Sequence, residues 1–296
     1  MHTRAMKPST VALALIVGLC GPPTATRALD DGNNHEVMAY VISTWDGDCD
    51  ADERENWDNM VRAWYNDIRN DAPAPAGHGP AAYNIAFLDN DGYINDSDFV
   101  DPDIQPWGND NNNADLPDAF MLGFHGGNND PDHRWYGTVK FDEVGVGNCY
   151  TYQGSIRLGD DDLEFLHLSS CFSMDREDWW NEWNSTFDGL HQIDGFHGLM
   201  YIDEDYIAEY RRFSDDAFWI SISESWLDHL YDTSHSGDQC PVARAVGIDR
   251  DDCRNRLTTE RYNFVYADPP GLGENRAHMA RYVRGCTPRG REALPQ

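Results

Sequence analysis

The sequence predicts an α/β fold, a three-layer sandwich built on a mostly parallel sheet. Short, nearly continuous apolar runs recur along the chain, as strands buried on both faces require. Amphipathic helical stretches alternate with them, and loops rich in Gly, Pro, Asp and Asn separate the two. With 296 residues, 40% of them hydrophobic and ten of them Trp, the chain can bury one large core.

The first element is an address. Arg4 and Lys7 precede the apolar run 11–19, and Thr26-Arg27-Ala28 offers a small-residue cleavage site, so residues 1–28 read as a signal peptide. Cys20 invites a lipoprotein anchor, but Leu19 stands where small side chains are needed, so lipid attachment is the lesser expectation. A single domain is expected over 29–296, secreted or otherwise extracytoplasmic. No stretch approaches 18 uninterrupted apolar residues, so no membrane span is expected.

Strands are predicted at 35–43, 83–88, 119–124 and 163–170, with weaker ones near 138–141, 193–201 and 260–267. Helices are predicted at 53–70, where Trp57, Met60, Val61, Trp64 and Ile68 form one stripe, at 177–190, and at 206–231 with a break near Ser214. Trp179, Trp180 and Trp183 at helical spacing read as core before they read as a carbohydrate or peptide platform.

Charge excludes whole classes of partner. Only two Lys occur against 39 Asp and 13 Glu, and the chain after residue 28 carries 19 basic against 52 acidic groups, a net charge of −33. Such a field repels nucleic acid and anionic membrane surfaces. Six cysteines follow the leader, an even number that suggests three disulfides in an oxidising compartment, with Cys240–Cys253 the first expected pair and a disulfide-tied C-terminal part.

Functional residues collect at the carboxyl ends of parallel strands. Two predicted strand ends deliver reactive groups: one runs into His125-Gly126-Gly127, the other into Cys171. A thiol with an ordinary pKa near 8.5 needs a base to react at neutral pH, and an imidazole can take that proton and return it. Gly126, without a Cβ, lets its N–H approach a reacting carbonyl. Cys171, His125 and Gly126 are therefore the candidate catalytic set for acyl transfer. His78 follows no apolar strand, while His167 and His197 fall inside predicted strands; all three are lesser candidates. The even cysteine count keeps a structural disulfide at Cys171 open as the alternative.

An apolar strand ending in His-Gly, then one ending in Ser-Ser-Cys, resembles the caspase, legumain and gingipain group of cysteine peptidases. The stretch Trp183-Asn184-Ser185-Thr186-Phe187-Asp188-Gly189-Leu190-His191, with Asp194-Gly195-Phe196-His197 after it, is similar to an exported bacterial family known as domain of unknown function 6345. The resemblance spans about 34–268 and implies a caspase-like fold. It implies Cys171 as nucleophile, His125 as base, Gly126 as oxyanion donor and a peptide or protein as substrate. Ser169-Ser170 before the cysteine and Phe172-Ser173-Met174 after it depart from the usual neighbours.

A second constellation lies in the Asp/Asn tract 89–115. Asp89, Asp91, Asp96 and Asp98 offer hard oxygen donors loosely like the back half of an EF-hand loop, and a structural Ca²⁺ is the one cofactor to consider. Phe87 sits where that loop wants its first Asp, and Asp98 where it wants Glu. Asp46, Asp48, Asp50 and Asp52 repeat the idea more weakly. No His/Cys spacing suits zinc, no Gly-x-Ser-x-Gly suggests a serine hydrolase, and the chemistry expected needs no cofactor. The competing expectation is a non-catalytic exported protein on the same fold, with calcium-dependent binding.

Overall fold

A computed structural model describes residues 36–45, 49, 52–70, 85–90, 94–129, 134–140, 148–176 and 183–296. The proposed signal peptide, Cys20, His78, Asp91, Trp179 and Trp180 lie outside them.

The first half of the chain supplies β1 (Glu36–Val41), α1 (Glu55–Asn70), β2 (Ile85–Asn90), β3 (Ala119–Gly123) and β4 (Gly126–Asn129), then β5 (Arg134–Thr138) and β6 (Tyr150–Tyr152). The second half supplies β7 (Phe165–Ser169), β8 (Gln192–His197), α2 (Asp205–Asp216), α3 (Ile222–Leu230), β9 (Cys240–Gly247), α4 (Arg250–Thr259) and β10 (Ala277–Tyr282). Seven strands form one sheet in the order β10-β9-β8-β7-β3-β1-β2, and β4, β5 and β6 form a small antiparallel one. The contiguous set β8, β7, β3, β1 and β2 is parallel; β9 runs against both its neighbours. Every residue of β3 and β7 is buried, which is why their sequences read as unbroken apolar runs.

The alternation of side chains divides the core. Val37, Ala39, Val41, Ala119 and Met121 face one way and pack with α1, α2, α3 and Leu257 of α4. Met38, Tyr40, Phe120, Leu122 and Leu168 face the other, against Phe99, Trp135, Trp183 and Phe187. The mixed α/β class and the mainly parallel sheet are as expected. However, the described α-helices all join the first core, and the opposite layer consists of 3₁₀ turns, loops and the small sheet. Long crossings such as 94–118 carry Asp and Asn, which compete with the backbone through local hydrogen bonds and leave no helical stripe.

Local sequence explains the helices. Trp57, Met60, Val61, Trp64 and Ile68 of α1 are fully buried, and Glu55 and Asp58 near its start and Arg69 at its end suit the helix dipole. Ser221 caps α3 by accepting from the Glu224 N–H, so the expected helix over 206–231 divides there. Asp249 caps α4 through two N–H groups. The alternation at 260–267 does not make a strand: Arg261 pairs back only to Phe264, and Glu260 is buried as an ion-pair partner. Of the helix expected at 177–190, residues 183–185 form a 3₁₀ turn, and Trp183 lies in the core.

The cysteines correct the expected pairing. Cys49 joins Cys149 and Cys240 joins Cys286, while Cys171 and Cys253 are unbridged. Cys240 opens the eight-residue strand β9 and Cys253 sits on the helix after it, so the length of the strand, at about 3.3 Å per residue, separates them. The antiparallel return of β10 brings Cys286 back to the Cys240 end. No described helix is long and apolar enough to cross a membrane.

Candidate active site at the strand ends

Parallel pairing sets Gly123 of β3 beside Ser169 of β7, and His125 and Cys171 each lie two residues further on. The two strand ends are tightly joined. A Cβ on Gly126 would overlap Ser170 Oγ, the Cys171 carbonyl oxygen and Trp135 Nε1, so only glycine brings the His125-Gly126 backbone this close. Trp135 Nε1 donates to the Cys171 carbonyl at 3.2 Å, and Trp57 Nε1 donates to Ser169 Oγ at 3.0 Å.

His125 is half-buried between Trp45 and Trp57, with ring centroids 5.9 and 5.2 Å away. Its Nε2 lies 2.6 Å from the main-chain carbonyl oxygen of Asp52. A carbonyl only accepts, so this bond places the hydrogen on Nε2 and leaves Nδ1 as the basic nitrogen of the neutral ring. Burial lowers the His125 pKa, opposed by the bond to Asp52.

The Cys171 thiol is free, half-buried, and points to the Met200 carbonyl at 3.8 Å. Burial raises its pKa, against smaller effects that include the Arg54 charge. Gly126 supplies an available donor. It pairs with Gly137 between the flanking bond from the Thr138 N–H to the His125 carbonyl, so the ladder to β5 leaves the Gly126 N–H unused. The structure therefore gathers all three candidate catalytic residues at one edge, with thiol and imidazole in a resting arrangement that is not hydrogen-bonded.

The other candidates fall elsewhere. His167 is fully buried between Asp194 at 2.9 Å and the Tyr262 hydroxyl at 2.8 Å, inside the sheet. His197 ends β8 and faces the Asp175 carboxylate at 2.7 Å. Of the acidic set, Asp96 accepts from Asn148 at 2.7 Å, while Asp98 accepts from the Asn95 N–H at 3.0 Å and closes a capping box. Asp98 thus serves the local turn, while Asp96 ties that turn to Asn148, 52 residues further along the chain. The side chains of Asp89 and Asp91, and residues 46–48 and 50, lie outside the described residues. Among those described, the one close group of metal-type ligands is Asp238, Cys240 and Cys286, whose sulfurs form a disulfide.

Sequence reasoning named Asp52 only as a weak calcium ligand and did not single out Asp175. Asp52 acts through its carbonyl, which no side-chain pattern announces. Asp175 follows Cys171 by four residues and is 1% exposed, held by Asn128 and Arg291 as well as His197.

Fold and site together define a mostly parallel α/β protein with a cysteine and a histidine at neighbouring strand ends. The chain belongs to the family described as Domain of unknown function (DUF6345), whose sequence model matches residues 44–271. No curated protein matches it.

Proposed function

We propose that the protein is a secreted cysteine peptidase-like hydrolase that cleaves peptide bonds with a Cys171–His125 dyad. The observation that carries this is the bond from His125 Nε2 to the Asp52 carbonyl. It orients the ring and reserves Nδ1 for a proton, which is the order nucleophile, base, orienting group used in acyl transfer. The sheet order, with antiparallel β9 beside five parallel strands, supports the likeness to the caspase, legumain and gingipain group. Two disulfides suit an extracytoplasmic setting.

In the proposed reaction Cys171 turns from the Met200 carbonyl, and its proton passes to His125 Nδ1. Sγ attacks the carbonyl carbon, and the negative charge on the oxygen is met by the Gly126 N–H. Collapse breaks the C–N bond, and the amine leaves with the proton from His125. Water, deprotonated by the same ring, then hydrolyses the thioester and frees Cys171. The test is cleavage of a mixed peptide library by the native protein, Cys171→Ala and His125→Ala. Cleavage by Cys171→Ala at the native rate would retire the proposal.

A second possibility, a calcium-loaded binding protein on the same fold, draws on Asp110. Its Oδ2 is buried without a hydrogen-bond partner. Burial first, and then the neighbouring Asp101 charge, push its pKa up to about 7. A buried carboxylate so placed needs a proton or a cation. A melting temperature that climbs with Ca²⁺ and no longer does so in Asp110→Asn would favour this function. An unchanged melting temperature would remove it.

A further inference from the structure

On the β8 side of Cys171 the last residues of the chain fold back onto the strand ends. The Cys240–Cys286 disulfide ties this loop at its base, the Leu294 N–H bonds the Cys286 carbonyl at 2.8 Å, and the Leu294 side chain is buried. The Glu292 carbonyl oxygen lies 2.9 Å from His197 Nε2. Arg291, at the tip, reaches the segment that follows Cys171.

Two groups receive it. The guanidinium carbon sits 4.4 Å from the ring centroid of Phe172, and Nε donates to Asp175 Oδ2. An aromatic face together with a carboxylate is the pairing that selects a guanidinium. The cradle is built independently of its occupant. Asn128 donates to the same Asp175 oxygen at 2.7 Å, and His197 faces the other oxygen at 2.7 Å. Phe172 holds a left-handed backbone, φ 57°, with its N–H bonded to the Gly198 carbonyl at 2.7 Å. A non-glycine residue takes that conformation at a cost and keeps it only where its surroundings impose it. The cost here goes into presenting an aromatic ring directly beside the thiol-bearing residue. Arg291 itself stays 31% exposed, so its position opens to solvent at the end of the sheet where ligands of such folds bind.

We propose that Phe172 and Asp175 form a subsite for the arginine side chain of a peptide, and that Arg291 is its tethered occupant, competing with that peptide from within the chain. The peptide nature of the ligand rests on the function proposed for Cys171; recognition of a guanidinium does not. The alternative, an ion pair that only pins the loop, gives no gain of affinity when Arg291 is removed.

The experiment uses the full chain with Cys171→Ala, so that no turnover intrudes, and titrates Nα-acetyl-arginine methylamide calorimetrically. Adding Arg291→Ala is expected to tighten binding at least tenfold, since a tethered competitor acts at an effective concentration of about millimolar or above. The norleucine analogue should not bind, and Asp175→Asn should cancel the gain. Arg291→Gln, which keeps the stem of the side chain, gives the same comparison if Arg291→Ala loses its near-UV circular dichroism. Equal affinity with and without Arg291, a gain that survives Asp175→Asn, or equal binding of the norleucine analogue overturns the subsite. Hydrolysis by the Cys171-intact protein is read separately. Guanidinium binding without hydrolysis retires the peptidase and keeps the subsite, whereas hydrolysis indifferent to arginine keeps the peptidase and retires the subsite.

Discussion

His125 and Cys171 lie two residues beyond one register pair, Gly123 and Ser169, yet each faces a different carbonyl: Nε2 meets Asp52 at 2.6 Å and Sγ meets Met200 at 3.8 Å. Burial lowers the imidazole pKa and raises that of the thiol, so both groups rest uncharged near pH 7. A neutral pair works as nucleophile and general base, and only the unprotonated ring accepts the thiol proton.

The pH dependence of kcat/KM follows from that state. The acid limb reports protonation of His125 and should have its midpoint below the ordinary value of about 6.5. Iodoacetamide should label Cys171 slowly at pH 7 and faster as pH rises past the usual thiol range. His125→Ala should lower turnover by about 10²–10⁴-fold. An acid midpoint above 6.5 would mean that a carboxylate, not burial, governs the ring.

Gly126→Ala tests the closeness of the two strand ends. The added methyl meets Ser170, the Cys171 carbonyl and Trp135 together, and a crowded site of this kind typically costs about 1–3 kcal/mol. Urea unfolding should show that loss. Alanine at Gly127, where the added methyl meets the Tyr136 side chain, should disturb the Cys171 backbone less. Equal losses at both positions would show that Gly126 holds no special place.

The thiols offer a direct count. Alkylation of the unreduced, denatured protein should find Cys171 and Cys253 and no other cysteine among the six after residue 28. Cys49→Ser with Cys149→Ser opens a link across 100 residues, worth about 4–5 kcal/mol in the chain-entropy account. It also frees the segment whose Asp52 carbonyl orients His125, so activity should fall even at temperatures where the variant stays folded. Labelling of Cys149 in the native chain would contradict this pairing.

Much of this fold was legible because its central strands are buried on both sides. β1, β3 and β7 are nearly pure apolar runs, and two of them end in the candidate site. β9 escaped notice although every residue in it is buried. Pro241 argues against a strand, and Arg244 interrupts its apolar run; in the fold that guanidinium bonds Asn184 and His278 and lies over Phe187. The false strand at 260–267 came from genuine burial of Tyr262 and Val265, which serve the helical core from a turn. Periodicity sees burial but not the partner that a buried polar group has found. The same blindness hid Asp175 and the Asp52 carbonyl.

One such polar group sets the expected response to acid. Glu260 is fully buried, with His191 Nδ1 at 2.9 Å and Arg256 Nη1 at 3.0 Å. Burial raises its pKa, but His191 and Arg256 outweigh that and hold the carboxyl below its usual range. A lowered folded pKa contributes stability that is complete above the unfolded value of about 4.3 and fades as pH falls through the folded one. His191 runs the other way. Burial lowers its pKa, yet Glu260 and Asp268 bring the net shift upward, so its contribution is whole below about 6.5 and is lost as pH rises through its raised value. The cluster therefore stabilises most between about pH 4.3 and 6.5. Glu260→Gln takes the fully buried carboxylate from Arg256 and His191, leaving them Asp252 at 3.4 Å and Asp268 at 3.5 Å, and removing one partner of a buried pair costs about 3–5 kcal/mol. Urea unfolding at pH 6 should show that deficit, and the difference from the native protein should shrink as pH falls below about 4.3 toward the glutamate's lowered folded value. A deficit that stays constant across that range would assign the effect to packing around residue 260 and not to its charge.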